Sequence, residues 1–210
     1  MKGIVIAFFG LLVLMQSCNG QNKKTSIKKV DTSSKKNKVM ERFDIENFNK
    51  NQVEGEWKFK NSSGTSIRQY KIDDGYQEEA ALPGSYFILS KSYYENGNLA
   101  EVGQRFHEQG FLKGIWTSYD ENGIVISEVN HDLPFKYSWE DVLRILKTKG
   151  INPSDNFTLI NRKNDTLGPQ WFISWDTKEL APDGKKILKN VTIDGITGKV
   201  SKEETVHYDY

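Results

Sequence analysis

Ser92-Tyr93-Tyr94-Glu95-Asn96-Gly97-Asn98-Leu99 returns 26 residues later as Ser118-Tyr119-Asp120-Glu121-Asn122-Gly123-Ile124-Val125. Ser, Tyr, Glu, Asn and Gly hold matching places in the two copies, and Leu99 meets Val125. Asn-Gly between aromatic and apolar runs is a hairpin signal of the type I′ kind, because both turn residues there need a positive φ. Two such turns at a fixed spacing mean two hairpins cut from one pattern. Tyr93 and Tyr119 stand three residues before their Asn-Gly turns, so both side chains should share one face of a common sheet.

The same reading extends upstream. Glu56 to Lys60 alternates polar and aromatic residues, which puts Trp57 and Phe59 on one face. Asn61-Ser62-Ser63-Gly64 reads as a turn, Thr65 to Ile72 as the return strand, and Asp73-Asp74-Gly75 as the next turn. Leu82-Pro83-Gly84 breaks the chain before a strand at Tyr86 to Tyr94. Gln104 to Phe111 reads as a wider hairpin with Gln109-Gly110 at its turn, and Trp116 to Tyr119 and Val125 to Val129 flank the second Asn-Gly. A more worn copy starts at Gly55-Glu56-Trp57-Lys58-Phe59 and echoes Gly114-Ile115-Trp116-Thr117-Ser118-Tyr119.

The strings YYENGNLAEVG (93–103) and KGIWTSYDENGIVISE (113–128) resemble the bacterial MORN-variant repeat found in YwqK-like proteins, over about residues 55–130. The resemblance implies hairpins stacked edge to edge into an elongated sheet, a scaffold with no catalytic motif to carry over. It also implies kinship with antitoxins that share the repeat. A physical reason agrees: one hairpin is marginal alone, and neighbours on a shared face stabilise the array.

The period changes after residue 134. Ser138 can cap a helix, with Asp141 completing a capping box. Trp139, Val142, Leu143 and Leu146 then fall on one helical face, and Gly150 with Pro153 ends the helix. Strands resume at Phe157 to Ile160, Trp171 to Trp175, Ile187 to Ile193 and Lys199 to Tyr208, with Trp171 and Trp175 on the face that packs under the helix. The string VTIDGITGKV (191–200) resembles the end of PepSY-like domains, which implies a small α+β unit over about 136–210 and, by analogy, a peptidase inhibitor.

The amino terminus carries Lys2, an apolar run from Ile4 to Met15, then Gln16-Ser17-Cys18. The run is too short for a membrane-spanning helix, and Cys18 is the only cysteine, so no disulfide partner exists within the chain. The segment resembles a bacterial lipoprotein signal peptide, although Met15 and Gln16 are not favoured lipobox residues; an ordinary secretory signal is the alternative. The resemblance implies cleavage before Cys18 and lipid on its thiol and new amino group. It thereby implies a protein anchored by lipid in the bacterial cell envelope, on the outer membrane. Residues 18–40 hold seven lysines against Asp31, rich in Ser, Thr and Asn, and read as a disordered basic tether. Residues 41–210 carry 21 Lys and Arg against 27 Asp and Glu, a mildly acidic balance that argues against nucleic acid as partner.

Chemistry is hard to find. His107, His131 and His207 form no metal-ligand spacing, no nucleotide loop or nucleophile elbow occurs, and His131-Asp132 reads as a junction loop. No cofactor and no catalysis are expected. The binding candidates are Tyr93, Tyr94, Trp116 and Tyr119, which would form a platform for a glycan or a protein if exposed, and the array's own core if not. The expected molecule is mainly β with a small α+β part. It comprises a signal peptide (1–17), the tether (18–40), an antiparallel hairpin-repeat sheet (41–133), and one helix packed on an antiparallel sheet (134–210).

Overall fold

A computed structural model describes residues 41–107 and 110–208. The signal-like segment, Cys18, the basic stretch to residue 40, and Gln109 of the expected turn lie outside the described residues. The first unit is a seven-stranded antiparallel meander: β1 (Glu56–Lys60), β2 (Ser66–Ile72), β3 (Gly75–Ala81), β4 (Phe87–Tyr94), β5 (Leu99–Phe106), β6 (Leu112–Tyr119) and β7 (Val125–Asn130), paired in chain order. A short helix, α1 (Ile45–Asn51), precedes it. Helix α2 (Trp139–Thr148) leads into a second antiparallel sheet of β8 (Leu159–Asp165), β9 (Gly168–Leu180), β10 (Lys186–Asp194) and β11 (Val200–Tyr208), ordered β11-β10-β9-β8. The fold class expected from the sequence is the one observed.

The repeat turns differ in type from the expectation. Gly97 N–H donates to Tyr94 O and Tyr94 N–H to Asn98 O, while Gly123 N–H donates to Asp120 O and Asp120 N–H to Ile124 O. Gly97 (φ 82°) and Gly123 (φ 77°) are left-handed, but Asn96 and Asn122 are not among the residues with positive φ. These are three-residue loops, a type I turn closed by a left-handed glycine, rather than type I′ turns. The extra residue shifts the register between Ser92 and Tyr93, and again between Ser118 and Tyr119. Asn61 to Thr65 closes by the same pair of hydrogen bonds. Asn61 Oδ1 there accepts from Ser63 and Thr65 N–H, as Asp120 Oδ1 accepts from Asn122 and Ile124 N–H.

The repeats also lock turn to turn. Tyr94 Oη donates to Tyr119 O (2.6 Å) and Asn98 Nδ2 to Glu121 O (2.7 Å), so the first repeat turn braces the second. Tyr94 occupies the place of Asp120 in the second copy, and its longer side chain is what reaches across.

Both hydrophobic cores lie on one face of the seven-stranded sheet. Near the repeat turns, Phe43 and Phe48 of the α1 segment close over Tyr93 and Leu99, with Tyr76, Val102 and Tyr119 at the margin. Near the opposite ends of the strands, Phe87, Phe106 and Phe111 meet Trp139 of α2 and, through it, Trp171, Ile173, Val191 and Ile193 of the second sheet. Helix α2 begins with the expected capping box between Ser138 and Asp141. Trp171 is fully buried beneath α2 and donates its indole N–H to Tyr137 O (2.9 Å), while Trp175 packs at the edge of the same core. The opposite face of the first sheet contributes no side chain to either core.

Candidate functional site

The structure divides the four aromatic candidates between the two faces. Tyr93 is 3 % exposed, wedged against the Phe43 ring (5.2 Å), and its hydroxyl donates to Glu41 Oε1 (3.0 Å). Burial, with Glu78 and Glu41 nearby, pushes that hydroxyl far above the ordinary tyrosine range. Tyr119 packs at the margin of the same cluster. Equal spacing from equal turns has therefore placed Tyr93 and Tyr119 on one face, but that face is closed. Tyr93 cannot offer its ring to a ligand, and its place in the proposed platform is corrected to a core role. The cover comes from α1, which sequence reading missed, and not from the C-terminal unit.

Tyr94 and Trp116 point to the open face. There β5 carries Gly103, and a methyl group at that position would overlap Cγ, Cδ2 and Cε2 of Trp116. The indole thus lies flat on the β5 backbone, held by its N–H on Gln104 O (3.0 Å), and remains half-buried. Only a glycine lets a ring sit this close to the strand. The outer surface of the indole faces away from the sheet.

Around it runs a polar network that crosses the strands. Glu79 of β3, 6 % exposed, accepts from Arg105 of β5 (2.6 Å) and from the Tyr70 hydroxyl of β2 (2.7 Å). Arg68 of β2 lies between Glu79 and Glu56 of β1, bonded to the latter. Desolvation, then the bond to Glu79, pushes the Tyr70 phenol up to about 12. Bonds from Lys58 and Arg68 hold the Glu56 carboxyl below its ordinary value. Ser118 on β6 donates to Glu101 on β5 (3.1 Å), close to Trp116 in the weave of strands. An aromatic surface flanked by carboxylates, guanidinium groups and hydroxyls can stack on an apolar ring face and hydrogen-bond its polar edge.

A second feature was not foreseen. Arg162 of β8 reaches the junction of the two sheets with its side chain 5 % exposed, donating to Leu112 O (2.5 Å) and Asp132 Oδ1 (2.6 Å). Its guanidinium lies over Phe135 (4.5 Å) and Phe111 (4.8 Å). Burial lowers its pKa, against the opposing pull of Asp132. Asp132 also accepts from Gly114 N–H (3.1 Å), so both of its carboxylate oxygens are used in the junction. Burial and Arg162 depress the His131 pKa, and its imidazole lines a cavity of about 430 Å³. Among the described residues no group of three His, Cys, Asp or Glu could hold a metal ion.

Residues 88–108 and 112–132 each match the family described as the MORN repeat variant. The matches coincide with the β4–β5 and β6–β7 hairpins and cover well under half of the chain. No curated protein and no solved structure matches the chain. MORN repeats generally serve as binding or scaffold modules and not as enzymes.

Proposed function

We propose that this protein is a non-catalytic lipoprotein, anchored in the bacterial envelope through Cys18, whose hairpin sheet binds a glycan or protein through its open face. The observation that carries the binding reading is the one-sided packing. Both cores use one face of the seven strands, and the other presents Trp116 flat on Gly103 amid fixed hydrogen-bonding groups. The glycine notch and the bond to Gln104 O fix the indole in place on that face, so its ring is a preformed surface for stacking. The binding set is Trp116, with Tyr94 further along the same face toward the repeat turns; Tyr93 and Tyr119 belong to the closed face. A glycan fits best, because sugar rings have apolar faces for the indole and hydroxyl rims for Glu101, Ser118 and Arg105.

The anchoring half rests on the amino-terminal segment alone. Cleavage before Cys18 would leave a basic spacer between the lipid and the first described residue, long enough to present the sheet away from the bilayer. An immunity role against an envelope toxin, or peptidase inhibition through the PepSY-like unit, would use the same anchored architecture with a protein partner. The test is an array of envelope polysaccharide fragments probed with wild-type protein and with Trp116→Ala. Retention by the wild type that the variant loses, at unchanged fold, supports the reading. Equal retention by both removes Trp116 from the site, and no retention on any glycan shifts the reading to a protein partner.

A further inference from the structure

The second sheet is covered unevenly. Helix α2 lays Val142 and Leu146 over β8, β9 and the near side of β10, but β11 at the free edge is left bare, with Val200 54 % exposed. Between the helix and that edge lies a cleft of about 390 Å³. Its floor is Leu146, Ile173, Val191 and Ile193, and Trp175 and Val200 form its sides. Arg144, Lys149 and Glu203 stand at its mouth. Apolar walls leave water there few polar partners, so an apolar occupant gains by displacing it.

We propose that this cleft binds a single-chain amphiphile with an anionic head, such as a fatty acid. Two observations select that class. The volume falls within the range of small-molecule sites, about 300–1,000 Å³. The lining is aliphatic with one aromatic, which suits an alkyl chain better than a planar ring system.

The charges at the mouth set the head group. Glu203 is paired with Lys189 (3.2 Å) and Arg144 with Asp141 (2.9 Å). Lys149 makes no ion pair among the described residues. The carbonyl end of α2 would repel an anion by itself, so a carboxylate must settle on the Lys149 ammonium. This site is separate from the glycan face and does not depend on it.

The experiment is calorimetric titration of the full chain with dodecanoate, kept below its micelle-forming concentration, and with dodecanol as the neutral twin. Dodecanoate should bind once per chain. Val200→Trp, which fills the mouth from an exposed edge position, should weaken it by about tenfold or more, equivalent to about 1.4 kcal/mol. Lys149→Glu, on the helix surface, should weaken dodecanoate by a similar factor while leaving dodecanol unchanged; this variant serves also if Val200→Trp folds poorly. Trp116→Ala should leave both ligands unaffected, which separates this site from the glycan face. Absence of saturable dodecanoate binding, equal binding by a folded Val200→Trp variant, or equal loss of both ligands in Lys149→Glu would each overturn the proposal.

Discussion

Trp139→Ala should unfold more than the helix it sits on. Trp139 is 5 % exposed and lies within 5.0–5.8 Å, centroid to centroid, of Phe106, Phe87, Phe111 and Tyr86 on the hairpin side, and 6.4 Å from Trp171 on the other. A buried tryptophan removes about 150–250 Å² from water. At roughly 25 cal/mol per Å² that is about 4–6 kcal/mol, of which an alanine keeps a part. Measured large-to-small changes of this kind cost about 3–5 kcal/mol, so about 4 kcal/mol is expected. For a chain of this size that lowers the melting temperature by roughly 8–16 °C. Because the ring touches both sheets, the loss should appear in both at once. Urea melts followed by near-UV circular dichroism, with hydrogen exchange on β4, β5 and β9, would show it. A cost below about 1 kcal/mol would refute the packing argument. So would a hairpin sheet that keeps its full protection while β9 opens early, since the two units would then fold independently.

Other outcomes follow from single positions. Gly103→Ala adds a methyl where the indole lies, so Trp116 must leave its seat. The cost should be about 1–3 kcal/mol, tryptophan emission should move to the red, and glycan capture should fall as far as in Trp116→Ala. The Tyr70 phenol, raised to about 12 in the fold from an ordinary value of 10, favours its neutral form when folded. Its contribution is therefore whole below pH 10 and drains away as pH rises toward 12, and Tyr70→Phe should flatten that part of the difference in stability; absorbance of the phenolate against pH checks it. Cys18→Ala in the full chain should move the protein out of the detergent phase or leave an unprocessed precursor, and any remaining fatty-acid label on the variant would place lipidation elsewhere.

Much of the fold was legible because it is local. The repeated Ser-Tyr and Asn-Gly spacing marks both matched hairpins, and the Ser138 to Asp141 box with its apolar stripe marks α2. Asn-Gly alone does not separate a two-residue loop from a three-residue loop, since glycine supplies the left-handed residue in either; the observed φ of Gly97 and the hydrogen bond of Tyr94 with Asn98 decide. Strand β3, GYQEEAA, carries little strand signal of its own, because alanine and glutamate are poor strand formers. It holds its place between β2 and β4 through partners invisible in one dimension, Arg105 on Glu79 and Ser90 on Gln77. Helix α1 has seven residues and one fully buried side chain, Phe48, too little to show a period. Without α1 in view, the sequence leaves open whether Tyr93 belongs to the array's core or to an exposed platform.

The place of the two caps explains why one face of the repeats was free to take on a task. A solenoid of hairpins extends at will when each unit touches only its neighbours. Here both covers settle on the same central strands. Phe43 and Phe48 sit over Tyr76 on β3, Tyr93 on β4 and Leu99 on β5, and Trp139 sits over Phe87 on β4 and Phe106 on β5. Inserting another copy between β5 and β6 would part Phe106 from Phe111, whose rings stack at 5.2 Å across the connecting loop, and would pull Arg162 from Leu112 O. Copy number is thus fixed by packing on the closed face. The opposite face pays none of that cost, so its residues answer only to cross-strand pairing and to whatever they meet in solvent. Glu79 shows the first constraint, its Oε1 bound by Tyr70 of β2 and Arg105 of β5. Trp116 shows the second, for its hydrogen bond, its glycine seat and the His131 ring 6.3 Å away fix where the indole lies on that face.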